Sequence, residues 1–240
     1  MFSTSVRTKD LSEKKNNGEL CVQKVERFRE ILLKRITIDP QKKFITFGSF
    51  IQLRRNHPGG PLYLSLATDY FCNNLHPITE SCDLTLSSTN FPCARNTFKI
   101  CSMEEKSAFS NANLKYNQDF LLQCLGWDAE PLYLLCPPKS WTESEKSDIQ
   151  LGRIGVNSLS YFRWKFAHPD SEQRLEMEGE IIPFDSRALL IHSATNRVAT
   201  NKGDSVRTIF GREERVHLEY HNLKRKNSNL ESHCWCIPSL

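Results

Sequence analysis

The residues best suited to hold a metal ion lie near the C-terminus of the chain. Histidine nitrogen and cysteine sulfur are the usual zinc ligands, and five such residues are His217, His221, His233, Cys234 and Cys236. In a strand, Cys234 and Cys236 share one face and His233 points to the other, so these ligands do not converge on one ion. Free cysteine is also a common structural residue in half-buried strands. We therefore expect no metal, and a zinc site is left as the alternative.

Hydrolytic catalysis would need a nucleophile, a base and an orienting acid. His192 stands next to Ser193, with Asp185 a few residues before it, but no glycine-flanked nucleophile elbow accompanies them. His192 ends an apolar run and precedes Ser193-Ala194-Thr195-Asn196, which is typical of a hydrogen-bonded turn histidine. We predict no catalytic residues and no enzyme. A hydrolase or metalloenzyme is the alternative that the histidines and cysteines leave open.

Neither paired carboxylates nor a phosphate loop is indicated. A run of four glutamates has the spacing of a solvated hairpin edge; its members are Glu172, Glu176, Glu178 and Glu180. Gly59-Gly60 stand between two prolines, and Gly152 and Gly155 lack the flanking residues of a nucleotide-binding loop. The sequence therefore predicts no cofactor.

One basic cluster is a candidate for binding a partner. Lys224, Arg225 and Lys226 stand together and precede Asn227-Ser228-Asn229, which is typical of a loop tip. A solvated hairpin is one interpretation, and contact with an acidic protein is the other. No aromatic residues alternate with these charges, and the net charge is only +4, so nucleic acid is disfavoured. We predict that this cluster and the polar insertion at 139–150 contact a protein partner.

The composition indicates the cytoplasm. The nine cysteines are an odd number, and the chain has no Asn-x-Ser/Thr glycosylation sequon. The first residues lack the apolar stretch of a secretory signal, and no run of 18 apolar residues predicts a membrane span. These features favour free thiols in a reducing compartment and no membrane partner.

The elements that position these residues fall into three regions. Residues 1–17 are polar and are predicted to form a disordered tail. Residues 18–42 are predicted to form an amphipathic helix and a connector: the apolar spacing is helical from Gly18 to Arg35, and Asp39-Pro40 ends the helix. From 43 to 240, short apolar runs alternate with Gly, Pro, Asn, Asp and Ser clusters, which predicts a mainly β domain.

Three markers in the β region recur at intervals of about 70 residues. Pro61-Leu62-Tyr63-Leu64 returns as Pro131-Leu132-Tyr133-Leu134. Three strands of aromatic-x-apolar pattern begin at Phe98, Trp164 and Trp235. A large apolar residue precedes them by 45, 44 and 45 positions; these residues are Leu53, Phe120 and Leu190. The markers predict a single β-trefoil whose core holds the three aromatic residues, with a generic β-barrel or sandwich as the alternative.

Six motifs follow one another in order: Arg95-Asn96-Thr97-Phe98, Tyr116-Asn117-Gln118-Asp119-Phe120, Leu132-Tyr133-Leu134, Arg174-Leu175-Glu176-Met177-Glu178-Gly179, His192-Ser193-Ala194-Thr195-Asn196-Arg197 and Phe210-Gly211-Arg212-Glu213. Their order and spacing resemble the cilia- and flagella-associated protein 161 family. The resemblance implies a structural microtubule inner protein in the doublets of the axoneme of a cilium or sperm flagellum. It would bind tubulin and other inner proteins, stabilise the axoneme for motility and catalyse nothing.

The third repeat also resembles MIR-type trefoil repeats, through its turn at Asp185, His192, the Thr195-Asn196 turn and the closing Trp235. This leaves an alternative function, a MIR-like or lectin-like module that binds a sugar or signalling ligand. Its candidate site is Tyr70-Phe71 beside Asn73-Asn74. Where the ciliary family has glycine in a Tyr-Gly-Gln-Asp turn, this chain has Asn117, which tolerates positive φ.

Overall fold

Short antiparallel strands make up most of the regular secondary structure in the described residues, as the sequence predicts. The computed structural model describes residues 21–38, 43–68, 76–103, 111–126, 130–138, 148–220 and 233–239. The predicted tail at 1–17 and the end of the connector lie outside these ranges. The helix α1 spans Cys21–Leu32, and the strands are β1 (Phe50–Ile51), β2 (Arg54–Arg55), β3 (Leu62–Leu66), β4 (Leu84–Ser87), β5 (Phe98–Cys101), β6 (Leu121–Cys124), β7 (Tyr133–Leu135), β8 (Gln150–Gly152), β9 (Trp164–Ala167), β10 (Arg187–His192), β11 (Arg197–Thr200), β12 (Ser205–Thr208), β13 (Gly211–Arg215), β14 (His217–Glu219) and β15 (Cys234–Cys236).

The helix α1 packs one face on the β region. Phe28 and Leu32, one turn apart, are buried in the main apolar core, and Val25 packs against its edge. Arg29 Nε donates a hydrogen bond of 3.2 Å to the carbonyl of Ile209, so the helix is tied to a distant part of the chain. No helix in the described ranges is long and apolar enough to cross a membrane.

The chain leaves the helix earlier than the apolar spacing predicts. The helix ends at Leu32, and Arg35, expected to be its last residue, forms an antiparallel bridge with Cys93. The amide of Ala94 donates to the carbonyl of Lys34, and the amide of Ile36 donates to that of Pro92. Pairing with a remote segment therefore replaces the last helical turn, and the β-branched residues that follow Arg35 favour this extended backbone.

Six strand segments pair around a closed ring. Within each repeat, the opening segment pairs with the closing one; the partners are Ile51 with Phe98, Phe120 with Trp164, and Ala188 with Trp235. Each closing segment also pairs with the opening segment of the next repeat; the partners are Ile100 with Leu122, Phe166 with Leu190, and Cys236 with Arg54. The last pair returns to the first repeat, so each of these six segments has a neighbour on both sides.

Near the ring, three backbone hydrogen bonds form a triangle. The amide of Leu114 donates to the carbonyl of Ile45 (2.8 Å), the amide of Ile182 to that of Leu114 (3.0 Å), and the amide of Ile45 to that of Ile182 (3.0 Å). The three residues are fully buried and stand 69 and 68 positions apart. The buried backbone N–H and carbonyl groups of each repeat at this position therefore form their hydrogen bonds with the other two repeats.

A left-handed turn follows each corner of the triangle. Its residues are Gly48 (φ +87°), Asn117 (φ +62°) and Asp185 (φ +62°). Their amides each donate a 2.8 Å hydrogen bond to the closing strand, at Ile100, Phe166 and Ile237 respectively. Glycine, asparagine and aspartate are the residues that adopt this backbone most readily, so Asn117 replaces a glycine without breaking the turn.

Three hairpins extend from the ring: β3–β4, β7–β8 and β11–β14. The third carries an additional hairpin, β12–β13, and β13 pairs with β4 of the first repeat. The sequence analysis did not predict these two strands, because neither shows an apolar alternation and four of the five residues of β13 are charged.

The three aromatic residues at repeated positions lie in one core. Phe98, Trp164 and Trp235 are each 0% exposed and belong to a single apolar cluster. The indole N–H of Trp164 donates to the carbonyl of Leu134, and that of Trp235 donates to the carbonyl of Ala199, both at 3.0 Å. Each indole therefore fills the core and attaches a hairpin strand to the closed ring of strand segments.

Replacing Trp164 or Trp235 with phenylalanine is expected to lower the free energy of unfolding by about 1–3 kcal/mol, because each change opens a gap and removes the donor to a buried carbonyl. Chemical denaturation measures the change. The control is Leu175→Ala at an 82% exposed position, expected to stay within about 0.5 kcal/mol of wild type. Tryptophan variants as stable as this control would contradict the packing described above.

Candidate interaction surface

The predicted partner-binding cluster, Lys224 to Lys226, lies outside the described residues, but both ends of its segment are defined. The segment leaves β14 at Tyr220, which is 82% exposed, with the Arg197 guanidinium 5.9 Å from its ring. It returns at His233, whose Nε2 is 3.8 Å from a carboxylate oxygen of Glu219. The described ends of this segment, Tyr220 and His233, therefore lie beside charged side chains, and the role of the basic cluster stays a prediction. The residues of the predicted sugar site, 70–74, also lie outside the described ranges.

The polar insertion at 139–150 is less exposed at its end than predicted. Residues 139–147 lie outside the described part, but Asp148, Ile149 and Gln150 are all buried. Asp148 Oδ2 accepts a 2.8 Å hydrogen bond from the amide of Leu218, and Gln150 begins β8. The prediction of an exposed loop is wrong for these three residues, because a distant strand supplies the polar contact that solvent was expected to provide.

His192 is a buried structural residue with both ring nitrogens engaged. Its Nε2 lies 3.1 Å from the carbonyl oxygen of Tyr161, and its Nδ1 lies 2.9 Å from Thr195 Oγ1. A carbonyl can only accept, so Nε2 carries the proton and the threonine hydroxyl donates to Nδ1. Burial lowers the pKa of His192, which favours this neutral form. The ring also packs edge-on against Trp164, with centroids 5.2 Å apart.

The other two residues of the candidate hydrolytic triad, Ser193 and Asp185, make separate contacts. Ser193 Oγ donates a 2.6 Å hydrogen bond to Asp119 Oδ1. Asp185 instead accepts hydrogen bonds from the amide and hydroxyl of Ser239, and these contacts lower its pKa. The structure therefore does not bring His192, Ser193 and Asp185 together as a catalytic unit.

The candidate zinc ligands also have separate environments. His217 Nε2 lies 2.7 Å from Asp204 Oδ1. Cys234 packs in a small apolar cluster, whereas the sulfur of Cys236 lies 3.4 Å from Arg54 Nη2. His221 lies outside the described residues. Within the described ranges, no three His, Cys, Asp or Glu side chains are grouped so as to hold a metal ion.

The glutamate run is exposed but is not a hairpin. Residues 171–179 form a succession of turns, and all four glutamates are exposed. Arg174 holds this segment by donating hydrogen bonds of 2.9 Å to the carbonyls of His168 and Pro169. The predicted solvation is therefore observed, while the strand pairing is replaced by side-chain contacts to the backbone.

A buried ion pair that the sequence analysis missed joins the first and third repeats. Arg95 is fully buried, and its Nη2 lies 2.9 Å from both carboxylate oxygens of Glu213. Arg95 also donates to the carbonyl of Leu66, and Thr85 donates a 2.7 Å hydrogen bond to Glu213. Burial lowers the pKa of Arg95, and Glu213 opposes that effect. The ring of Phe210 stacks 3.8 Å from the guanidinium.

Several of the motifs that run in series along the chain meet in space. The Arg95–Phe98 motif contacts the Phe210–Glu213 motif through this ion pair. The motif at 116–120 contacts the one at 192–197 through the Asp119–Ser193 hydrogen bond. It also contacts the one at 174–179, because the amide of Gly179 donates to the carbonyl of Tyr116. These motifs therefore hold repeats together. Arg95 and Glu213 each belong to one of the motifs, which was the only indication in the sequence that the two residues are important.

Two cavities open on the described surface. The first, of about 400 Å³, lies between the β3–β4 and β12–β13 hairpins and is lined by charges of both signs, including Glu80, Asp83, Arg207 and Arg215. The second, of about 340 Å³, lies where β2, β10 and β15 meet and is lined by Arg54, Arg187 and Cys236. Both are of the size that accepts a small ligand or a side chain.

Comparison with known proteins gives a consistent family match. Residues 24–238 match the model of the Cilia- and flagella-associated protein 161-like domain. The cattle protein named cilia- and flagella-associated protein 161 is 28% identical over 92% of this chain and 74% of its own length. The zebrafish protein of that name is 27% identical over 92% of this chain and 79% of its own length.

Solved structures share the fold at low sequence identity. An SDF2-like protein from Arabidopsis thaliana has a TM-score of 0.54 at 15% identity, over 81% of this chain and 94% of its own. A Caenorhabditis elegans protein of unknown function has a TM-score of 0.55 at 11% identity, over 83% and 99%. The yeast protein O-mannosyltransferase Pmt1-Pmt2 complex matches with a TM-score of 0.54 at 16% identity, over 91% of this chain and 30% of that chain.

Acidification is expected to destabilise the protein through His192. Burial holds the pKa of folded His192 below its ordinary value of 6.5, so the unfolded chain takes up this proton first. The contribution is therefore full above about pH 6.5 and is lost as the pH falls toward the folded pKa. Denaturation followed from about pH 7.5 to about pH 5 is expected to show a steeper decline in wild type than in His192→Gln. His57→Gln, at an exposed position, is the control, and an equal slope in wild type and His192→Gln would contradict the prediction.

Glu213→Gln is expected to lower the free energy of unfolding by about 3–5 kcal/mol, because it leaves the buried Arg95 without its counter-charge. The double variant Arg95→Met with Glu213→Leu removes both charges and is expected to recover much of this loss. Glu178→Gln, at an exposed position, serves as the control. A double variant that is less stable than Glu213→Gln would argue that the pair contributes more than it costs to bury.

Proposed function

This chain belongs to the cilia- and flagella-associated protein 161 family, and we propose that it is a structural microtubule inner protein of ciliary or flagellar doublet microtubules. The observation that carries the proposal is the family match over residues 24–238. In this role it binds tubulin and neighbouring lumenal proteins and stabilises the axoneme for motility, in the cytoskeleton of a cilium or sperm flagellum.

The body that makes these contacts is a β-trefoil with three MIR-like repeats. The closed ring of six strand segments supports this, as do the backbone triangle at Ile45, Leu114 and Ile182 and the three hairpins that extend from the ring. The fold likeness to solved structures at TM-scores of 0.54 and 0.55 is a further support. A closed ring is rigid, which suits a protein that bears load in a filament.

The protein acts without catalysis in this proposal. The side chains with the best chemistry are engaged in structure: both nitrogens of His192 have partners, Ser193 is hydrogen-bonded to Asp119, and Arg95 is paired with Glu213. All of these contacts except the one between His192 and Thr195 join different repeats, so substitution would loosen the fold before it altered any reaction. Function then depends on the surface that the fold presents.

The affinity would come from many modest contacts repeated along a polymer. Lys224, Arg225 and Lys226 are the contact residues we propose, because a basic cluster attracts an acidic surface and Tyr220, a few residues before it in the chain, is an exposed aromatic residue. A lattice of identical sites makes the combined binding strong even where each contact is weak. No single side chain then needs to dominate.

A second candidate function, a sugar- or ligand-binding module, is favoured by one observation. The cavity of about 400 Å³ is lined by residues that carry carboxylate groups, Glu80 and Asp83, and guanidinium groups, Arg207 and Arg215. Such groups hydrogen-bond the hydroxyls of a polar ligand. This function would not require retention in a filament.

Tagged full-length protein expressed in ciliated or sperm-forming cells tests the two candidates. After extraction of axonemes with detergent and high salt, wild type is expected to remain with the doublets. Lys224→Glu with Lys226→Glu is expected to lose much of this retention, whereas Arg207→Glu with Arg212→Glu, an equal charge change on an exposed hairpin, retains it. A wild-type protein found in the soluble or membrane-lumen fraction would contradict the proposal and favour the ligand-binding module. Equal loss in both double variants would contradict the role of the basic cluster.

A further inference from the structure

The strand β12 lies at an edge of the larger sheet. It pairs with β13 on one side, and no other strand of the described residues pairs with it. The amide of Arg215 donates a 2.9 Å hydrogen bond to the carbonyl of Asp204, just before β12. Every second pair of an antiparallel ladder is hydrogen-bonded, so the N–H and C=O groups of Ser205 and Arg207 point away from β13. Both residues are exposed, and such an edge is a template for pairing with another chain.

The hairpin that carries this edge is held firmly on the body of the protein. At its tip, the amide of Ile209 donates a 3.2 Å hydrogen bond to the carbonyl of Thr68, and Arg29 Nε donates to the carbonyl of Ile209. On β13, Glu213 forms the buried ion pair with Arg95. The edge is therefore in place before a partner arrives, which reduces the entropy lost on binding.

The first cavity, of about 400 Å³, lies beside β12. Three of the four residues of the strand line it: Val206, Arg207 and Thr208. Val206 is half-buried and Thr208 is buried, so the face of β12 opposite to the Arg207 side chain is the inner one. Two carboxylates of the lining already have partners, because Glu80 lies 2.6 Å from Arg153 Nε and Gln150 donates to Asp83. An uncharged side chain therefore suits this cavity better than a charged one.

The outer face of the hairpin carries two arginines side by side. Arg207 and Arg212 are partners in the strand register, and both are exposed. Neither forms a hydrogen bond or an ion pair with the residues that the structure describes. On the same face, Glu214 contacts Asn201 and lies 3.4 Å from His57 Nε2. Like charges opposite one another on neighbouring strands are unfavourable, so an acidic residue added beside Arg207 would stabilise this face.

We propose that β12 binds an extended segment of a partner protein in which acidic residues alternate with small apolar ones. The segment adds to the sheet as an antiparallel strand, and its backbone bonds to Ser205 and Arg207 supply the affinity. Its acidic side chains lie on the face of Arg207 and Arg212, and its apolar side chains face the cavity. Unlike a small polar ligand in the same cavity, this segment needs the free backbone of β12.

This contact is additional to the basic cluster proposed for retention in the doublets. Its loss alone is expected to leave that retention intact, so the two proposals fail or succeed separately. The binding is a property of the purified protein and is measured without axonemes.

An octapeptide that alternates glutamate and valine tests the proposal with the full-length protein. Fluorescence anisotropy of the labelled peptide, at constant ionic strength, measures its binding. The residues paired with Ser205 and Arg207 are the glutamates in this register, and they bond to β12 through their own N–H groups. N-methylation of the glutamates is therefore expected to abolish binding. N-methylation of the valines, whose N–H groups point away from β12, is the matched control and is expected to leave binding nearly unchanged.

Variants of the protein test the same contacts from the other side. Ser205→Pro removes one outward N–H at the first residue of an edge strand, where proline is tolerated. It is expected to weaken binding about threefold to tenfold, whereas Ser205→Ala leaves it unchanged. Arg207→Glu is expected to weaken binding of the acidic peptide about tenfold and to confer binding of the corresponding lysine and valine peptide. Lys115→Glu, an equal charge change at an exposed position of the second repeat, is the control.

Three results would overturn the proposal: no saturable binding of the glutamate and valine peptide by wild type, equal binding of the two N-methylated peptides, or equal weakening in Lys115→Glu and Arg207→Glu. The comparison of the N-methylated peptides uses the wild-type protein. It therefore decides the question even where a variant is too unstable to measure.

Discussion

Three backbone hydrogen bonds between Ile45, Leu114 and Ile182 are the constraint on which the rest of the structure depends. Each repeat donates one and accepts one, so no repeat has a satisfied backbone at this point without the other two. The neighbouring turns at Gly48, Asn117 and Asp185 extend the same dependence outward to the closing strands. The three repeats must therefore assemble as one cooperative unit, because none buries its apolar face or pairs its backbone alone.

Buried or partly buried polar side chains join the repeats. The Arg95–Glu213 pair crosses from the first repeat to the third, and Asp119 and Ser193 join the second to the third. His192 fixes its own hairpin turn and packs on Trp164. A chain built from weakly similar units needs polar contacts of defined geometry to select one arrangement of those units, and these pairs supply them.

The parts of the fold that the sequence could predict are those encoded locally. Phe98, Trp164 and Trp235 stood out because a large apolar residue follows each two positions later, which is the pattern of a strand with one buried face. The parts that it could not predict are fixed by distant partners: the exit from the helix at Arg35 depends on Cys93, and the burial of Asp148 depends on Leu218. The alignment of Arg54, Cys236 and Arg187 on three neighbouring strands could not be predicted for the same reason, since only strand register brings these residues together.

The additional hairpin β12–β13 makes the third repeat different from the other two. It pairs with β4 and so distinguishes one sector of the described ring of strands from the other two. Three equivalent sectors would let a partner dock in three rotational settings with equal energy. With this hairpin present, one docking orientation differs in energy from the other two. The protein can therefore occupy a larger assembly in a single defined orientation.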